Sequence, residues 1–147
     1  MVQAVYGETV FVGNAMEARD VRLLYENQIA AVVDLAANET PACLGRDHIY
    51  VRVPILDGEG NADHALELAI VTLVHLIQSR VKTLVACSAG MSRSPSIAAA
   101  AIALATQRSL DECIALVNSR GPCDLSPILW NHVRKVHGEL VQRGLFG

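Results

Sequence analysis

Aromatic side chains are scarce, with two Phe, one Trp and three Tyr in 147 residues. Because 52% of the chain is apolar, the core must be built mainly from Val, Leu, Ile and Ala. Basic residues are few as well. Twelve Lys and Arg against fifteen Asp and Glu give a net charge of −3, with no basic tail or long basic run. Proteins that grip nucleic acid need such a face, so no nucleic-acid partner is expected. The longest apolar runs are broken by polar residues, which argues against a membrane span. The N-terminus lacks a charged segment followed by an apolar one and a cleavage site. These absences point to a soluble, cytoplasmic protein with no membrane partner.

Cysteine is limited to Cys43, Cys87, Cys113 and Cys123. There is no C-x-x-C pair and no zinc-type spacing, so neither metal nor cofactor is expected. A chain of this length can form a core without disulfides. Cys113, within "LDECIALV", reads as a small buried hydrophobe. Cys43 and Cys123 fall in loops. A regulatory disulfide from either to Cys87 would need Cα atoms within about 7 Å.

The chain has no repeat, low-complexity segment or linker, and its length suits one domain spanning residues 1–147. Short apolar stretches at residues 8–13, 29–35, 48–55 and 81–87 read as strands. Asn14 is placed to cap a helix over residues 15–27. Asn61 is placed to cap a helix running to residue 79, with Leu66, Ile70, Leu73 and Ile77 on one stripe. "SPSIAAAAIALATQ" is apolar nearly all round, which indicates a buried helix, and Pro95 suits its first turn. Ser109 with Glu112 forms a capping-box pattern, and Ser126-Pro127 opens a final helix through residue 142. Strands alternating with helices predict an α/β fold: a mostly parallel twisted sheet of four to five strands flanked by helices.

One loop has more chemistry than the rest. "TLVACSAGMSRSPS" leaves a buried strand at Cys87, passes Ser88, Ala89, Gly90, Met91 and Ser92, and enters the apolar helix at Arg93 and Ser94. Ligands bind at the C-terminal ends of strands in open α/β sheets. Gly90 lets the backbone curl, and slender side chains let its N–H groups turn inward around an oxyanion. The helix N-terminus adds positive potential, and Arg93 offers a planar fork for two phosphate oxygens. The same field favours Cys87 as a thiolate nucleophile beneath a bound phosphate.

Cys-x5-Arg-Ser after an apolar strand resembles the signature loop of the cysteine-dependent protein phosphatases, and "CSAGMSRS" is most similar to the dual-specificity branch. "VFVGNAMEARDVRLLYENQIAAVVDL" resembles that branch's N-terminal strand, helix and strand, and the likeness extends over residues 10–133. It implies a phosphocysteine mechanism with Cys87 as nucleophile. Arg93 and the N–H groups of residues 88–93 would stabilise the transferring phosphoryl group, and Ser94 would hydrogen-bond the departing thiolate. The family's general acid is an Asp about thirty residues before the Cys. Asp57, in "VPILDGEGN", stands there; Glu59 is its competitor, and Asp63 fits the first turn of the following helix better.

Two departures from the family pattern stand out. The His that usually precedes the Cys is replaced by Ala86, which implies a slower or shifted enzyme. Ile128 stands where Asn usually follows the Pro. In the same region, Arg120 could bind a second anion or pair with a carboxylate, and Trp130 reads as a packing residue. The five His are scattered over surfaces and helix faces. The loop has no Lys, so phosphoinositide head groups suit it less well than a phosphorylated protein or a small phosphomonoester. Two other classes stay open: a phosphate-binding pseudophosphatase or interaction module, and another Cys-loop enzyme such as a sulfurtransferase or a low-molecular-weight phosphatase.

Overall fold

The structure, a computed structural model, describes residues 2–145. Five strands and six helices follow in the order β1 (Gln3–Tyr6), β2 (Val10–Asn14), α1 (Ala15–Arg19), α2 (Val21–Glu26), β3 (Ala31–Ala36), β4 (Ile49–Ile55), α3 (Asp63–Gln78), β5 (Thr83–Cys87), α4 (Arg93–Thr106), α5 (Leu110–Arg120) and α6 (Pro127–Arg143). The strands form one sheet in the order β1-β2-β5-β3-β4, and only the β1–β2 pair is antiparallel.

β5 lies in the middle, with β2 on one side and β3 on the other, and all five of its residues are buried. That placement explains its continuous run of apolar and small residues, since a central parallel strand is covered on both faces. Successive side chains point to opposite faces. Val85 and Cys87 join the larger core with α3 to α6, whereas Leu84 and Ala86 join Phe11, Ala18, Leu24, Ile29 and Val32 beneath α1 and α2. Twelve of the fourteen residues of α4 are buried. Its run of alanines lets it sit against the sheet while α3, α5 and α6 pack around it.

Several details differ from the sequence reading. β1 was not expected. It is only four residues long and buries only Val5, and its periodicity is too brief to read. The turn to β2 passes through Gly7 at φ +53°. The helix expected over residues 15–27 is two helices. Asp20, extended at φ −88° and ψ 91°, ends α1 and caps α2 by accepting from Leu23 N–H at 3.1 Å. A short carboxylate that binds nearby backbone competes with helix continuation. Asn14 does cap α1, in a reciprocal box with Glu17. Asn61 does not cap α3. The N-cap is Ala62, with no side-chain bond, and Asn61 has another role described below. Ser109 and Ser126 cap α5 and α6 by accepting from the N–H groups of Glu112 and Leu129. No helix among the described residues is long and apolar enough to cross a membrane.

Candidate active site

The C-terminal ends of β2, β5, β3 and β4 meet where the loop of residues 88–92 joins β5 to α4. Cys87, the last residue of β5, is 2% exposed, and its Sγ accepts a hydrogen bond from Gly90 N–H at 3.2 Å. The loop thus folds back on the sulfur. Gly90 has φ +74°, and a Cβ there would lie 2.8 Å from the carbonyl carbon and oxygen of Gly13. Both the conformation and the close approach to β2 require glycine. Ala15 N–H donates to Ser88 O at 3.4 Å and Asp124 N–H to Met91 O at 2.8 Å, holding the loop from two sides.

Ser92 is the N-cap of α4 but makes no side-chain cap bond. Its hydroxyl donates instead to Asp57 Oδ1 at 2.6 Å and accepts from Ser126 N–H at 2.9 Å. A Ser at this position usually satisfies one of the free N–H groups of the first turn. Here those donors are left for another acceptor, in a part of the fold where the helix dipole favours an anion.

Arg93, the first residue of α4, is 6% exposed and has no carboxylate partner among the described residues. Its Nη1 donates to Asn38 Oδ1 and to Ile55 O, both at 2.9 Å. Nε and Nη2 make no hydrogen bond among the described residues. Ser94 is fully buried, and its hydroxyl has no hydrogen-bond partner there, Cys87 Sγ included.

A cavity of about 200 Å³ is lined by Asp57, Cys87, Ser88, Ala89, Met91, Ser92, Arg93 and Asp124. The structure therefore brings Cys87, Arg93 and Asp57 to one opening. Glu59 is exposed and does not line it. Asp63 lies in the first turn of α3, where its carboxylate contacts His132 and Lys135. Hydrogen bonds from these two residues hold its pKa below the ordinary value. Arg120 is exposed and forms no ion pair among the described residues. Trp130 packs partly buried against the core, with Arg134 over its ring at 5.5 Å.

The sequence reading missed five contributors: Asn38, Glu39, Arg52, Tyr50 and Asp124. Asn38 and Glu39 follow β3 and arrive at the same sheet edge as the loop, with Ser88 Oγ lying 3.1 Å from both Asn38 Oδ1 and Glu39 Oε2. Arg52 reaches beneath their loop, its Nη2 donating to Ala36 O and Glu39 O at 3.0 and 2.8 Å. Tyr50 donates to Asp34 at 2.5 Å and accepts from Ala42 N–H at 3.0 Å. Burial and the Asp34 bond raise its phenol pKa. Asp124 lines the cavity from the segment before α6. Asn61 closes the Asp57 loop: its Oδ1 accepts from Leu56 N–H, and its Nδ2 donates to Leu56 O and Gly58 O. Asn38, Glu39, Asn61 and Asp124 share a positional signal, polar residues just beyond a strand or before a helix at one end of the sheet, whereas Tyr50 and Arg52 lie within β4.

All four cysteines are free. Cys123 lies behind the loop, in a separate cavity with Ala89, Gly90 and Met91, and burial raises its thiol pKa. Cys43 is exposed and Cys113 is in the core, where burial raises the thiol pKa too.

A thiol at the end of a central parallel strand, an uncapped helix start and one guanidinium together define a thiol-centred oxyanion site on an α/β sheet. The family model for "Dual specificity phosphatase, catalytic domain" matches residues 10–135, and the chain belongs to this family. Human dual specificity protein phosphatase 21 is 31% identical over 115 residues, a match covering 78% of this chain. The chain spans 60% of that relative's length. Among solved structures, human DUSP28 superposes with a TM-score of 0.84 at 21% identity, covering 97% of this chain and 99% of that one. The human tyrosine phosphatase-like serine/threonine/tyrosine-interacting protein superposes at 0.81 with 18% identity, covering 95% and 97%. These structures share the fold.

Proposed function

We propose that the chain is a single catalytic domain that hydrolyses phosphomonoesters through a phosphocysteine intermediate. It acts on phosphotyrosine and on phosphoserine or phosphothreonine. The observation that carries this reading is the shared opening: Cys87, Arg93 and Asp57 line one cavity at an uncapped helix start.

In the first step the Cys87 thiolate attacks phosphorus in line. The S–P bond forms, the ester P–O bond breaks, and the Asp57 proton passes to the leaving oxygen. The N–H groups of the loop and the free Arg93 donors meet the charge on the equatorial oxygens. In the second step water attacks phosphorus, Asp57 takes its proton, and the S–P bond breaks. The buried Ser94 hydroxyl has no competing partner among the described residues, which leaves it available to the departing sulfur. An unsatisfied buried hydroxyl costs roughly 1–3 kcal/mol, a cost that a role in turnover would explain.

The test is hydrolysis of p-nitrophenyl phosphate in EDTA and reductant, from about pH 4.5 to 8.5, by wild type, Cys87→Ser and Asp57→Asn. Turnover that vanishes in Cys87→Ser, with a bell-shaped profile that loses its high-pH limb in Asp57→Asn, supports the reading. A wild-type protein that binds vanadate without turning over substrate would overturn it and leave an interaction module.

A further inference from the structure

The mouth of the cavity has an unusual make-up. Of the nine large hydrophobic residues exposed among the described residues, three lie within two positions of a residue hydrogen-bonded to the loop: Met16 at 77%, Leu56 at 49% and Ile128 at 57% exposure. Met16 follows Ala15, whose N–H binds the Ser88 carbonyl. Leu56 precedes Asp57, which is bonded to Ser92. Ile128 is two residues beyond Ser126, whose N–H binds the Ser92 hydroxyl. Consecutive Cα atoms are about 3.8 Å apart, so each backbone lies within a few ångströms of a residue bonded to the loop. Met91 adds a half-buried apolar side chain to the cavity wall itself.

Acidic side chains outnumber basic ones at the mouth. The lining includes two carboxylates, Asp57 and Asp124, and one cation, Arg93, with no Lys or His. Glu39 lies against Ser88. Two further cations in this network are already engaged: Arg19, 3.5 Å from Glu39, also donates to Thr40, and Arg52 donates to the Ala36 and Glu39 carbonyls beneath the loop and lies near Asp34. Beyond the single dianion that Arg93 and the helix N-terminus can accept, nothing at the opening neutralises negative charge.

We propose, on the reading of the site given above, that the substrate is a peptide segment with one phosphorylated residue flanked by apolar side chains and no acidic ones. The flanking side chains lie on Met16, Leu56 and Ile128, and each contact removes apolar surface from water. Acidic neighbours or a second phosphate would face Asp124 and Glu39 across a short gap. A lipid phosphate in a bilayer fits less well. The three apolar residues come from three separate elements, carboxylates line the cavity beside them, and an anionic membrane surface repels such a rim.

The experiment measures kcat/KM for a phosphotyrosine and a phosphothreonine peptide series with Leu, Lys or Glu on either side of the phosphoresidue. p-Nitrophenyl phosphate serves as the flank-free reference, and vesicles carrying a monophosphorylated lipid as the competing source. Leu-flanked peptides should exceed Glu-flanked ones by roughly tenfold or more. In the triple variant Met16→Ser, Leu56→Ser, Ile128→Ser, the ratio of Leu-peptide to reference kcat/KM should fall roughly tenfold, mainly through KM. Equal rates on Leu- and Glu-flanked peptides, or lipid vesicles turned over faster than every peptide, would overturn the proposal while leaving phosphatase activity intact. If the reference ester is not hydrolysed, the activity reading fails separately. Fluorescence anisotropy with Cys87→Ser and the same labelled peptides then gives the flank preference as a ratio of Kd values, and no preference overturns the proposal.

Discussion

The Ser92 hydroxyl, 2.6 Å from Asp57 Oδ1, ties the loop of residues 88–92 to the loop that carries the proposed acid. The bond crosses 35 residues of sequence and joins β4's exit to α4's start. It also accounts for the absence of a side-chain cap on α4, because Ser92 directs its only hydroxyl to Asp57.

Replacing Ser92 with Ala should therefore impair the acid more than the nucleophile. General acid catalysis typically contributes about 10²–10⁴-fold, and an unanchored Asp57 should lose part of that. Alkyl or phenyl phosphates, with poor leaving groups, should slow at least about tenfold more than p-nitrophenyl phosphate. A Brønsted plot of kcat/KM against leaving-group pKa should steepen in Ser92→Ala. An unchanged slope would show that Asp57 holds its position without this bond.

Asn38→Ala removes the acceptor that Arg93 Nη1 and Ser88 Oγ share. The guanidinium keeps its bond to the Ile55 carbonyl but loses one of two anchors. Phosphate or vanadate affinity should drop roughly tenfold, the scale of one charge-assisted hydrogen bond. Competitive inhibition by vanadate would measure it. Full retention of affinity would mean that Ile55 alone orients the fork.

Ala86→His would put the family's usual residue back into this chain, but the site has no room for it. Ala86 is fully buried, between Gly13 on β2 and Asp34 on β3, within the cluster under α1 and α2. Overpacking of this kind typically costs about 1–3 kcal/mol. Urea denaturation should show the variant less stable than wild type, with activity no higher at temperatures where both are folded. A variant of equal stability would indicate a concealed void beneath α1.

Asp63 sets part of the acid stability. Its pKa in the folded protein lies below the ordinary 3.8, chiefly through the hydrogen bond from His132 and then that from Lys135. A lowered carboxylate stabilises the fold above the unfolded-state value, and that contribution is lost as pH falls through the folded-state value. Thermal melts should fall more steeply below about pH 4 in wild type than in Asp63→Asn. Parallel curves would assign the acid loss to other carboxylates.

The central machinery was legible in the sequence because it is local. Strand, Cys87, five slender residues, Arg93 and a buried helix follow one another without interruption, and each step has its own compositional mark. Asp57 could be found because it lies on a glycine-rich loop after a strand. Asn38, Glu39 and Asp124 were harder, since they reach the site through the sheet order β5-β3-β4 and the path from α5 to α6, which no local pattern states. Asn61 was misread for a related reason. An Asn before a helix has two uses, capping the helix or bridging its own loop, and only the position of Leu56 and Gly58 decides between them. Asp20 split a helix because a carboxylate there could serve the next turn as cap, a choice that periodicity does not register.

The burial of α4 has a thermodynamic consequence. Its first-turn donors cannot swing toward a ligand, because the helix is wedged among the sheet, α3, α5 and α6. Their ordering entropy is incurred once, when the chain folds, and does not recur with each oxyanion bound. Association should accordingly resemble a rigid receptor filling with an ion. The heat-capacity change should be small, and the amide-exchange rates of α4 should be nearly the same with the cavity empty or full.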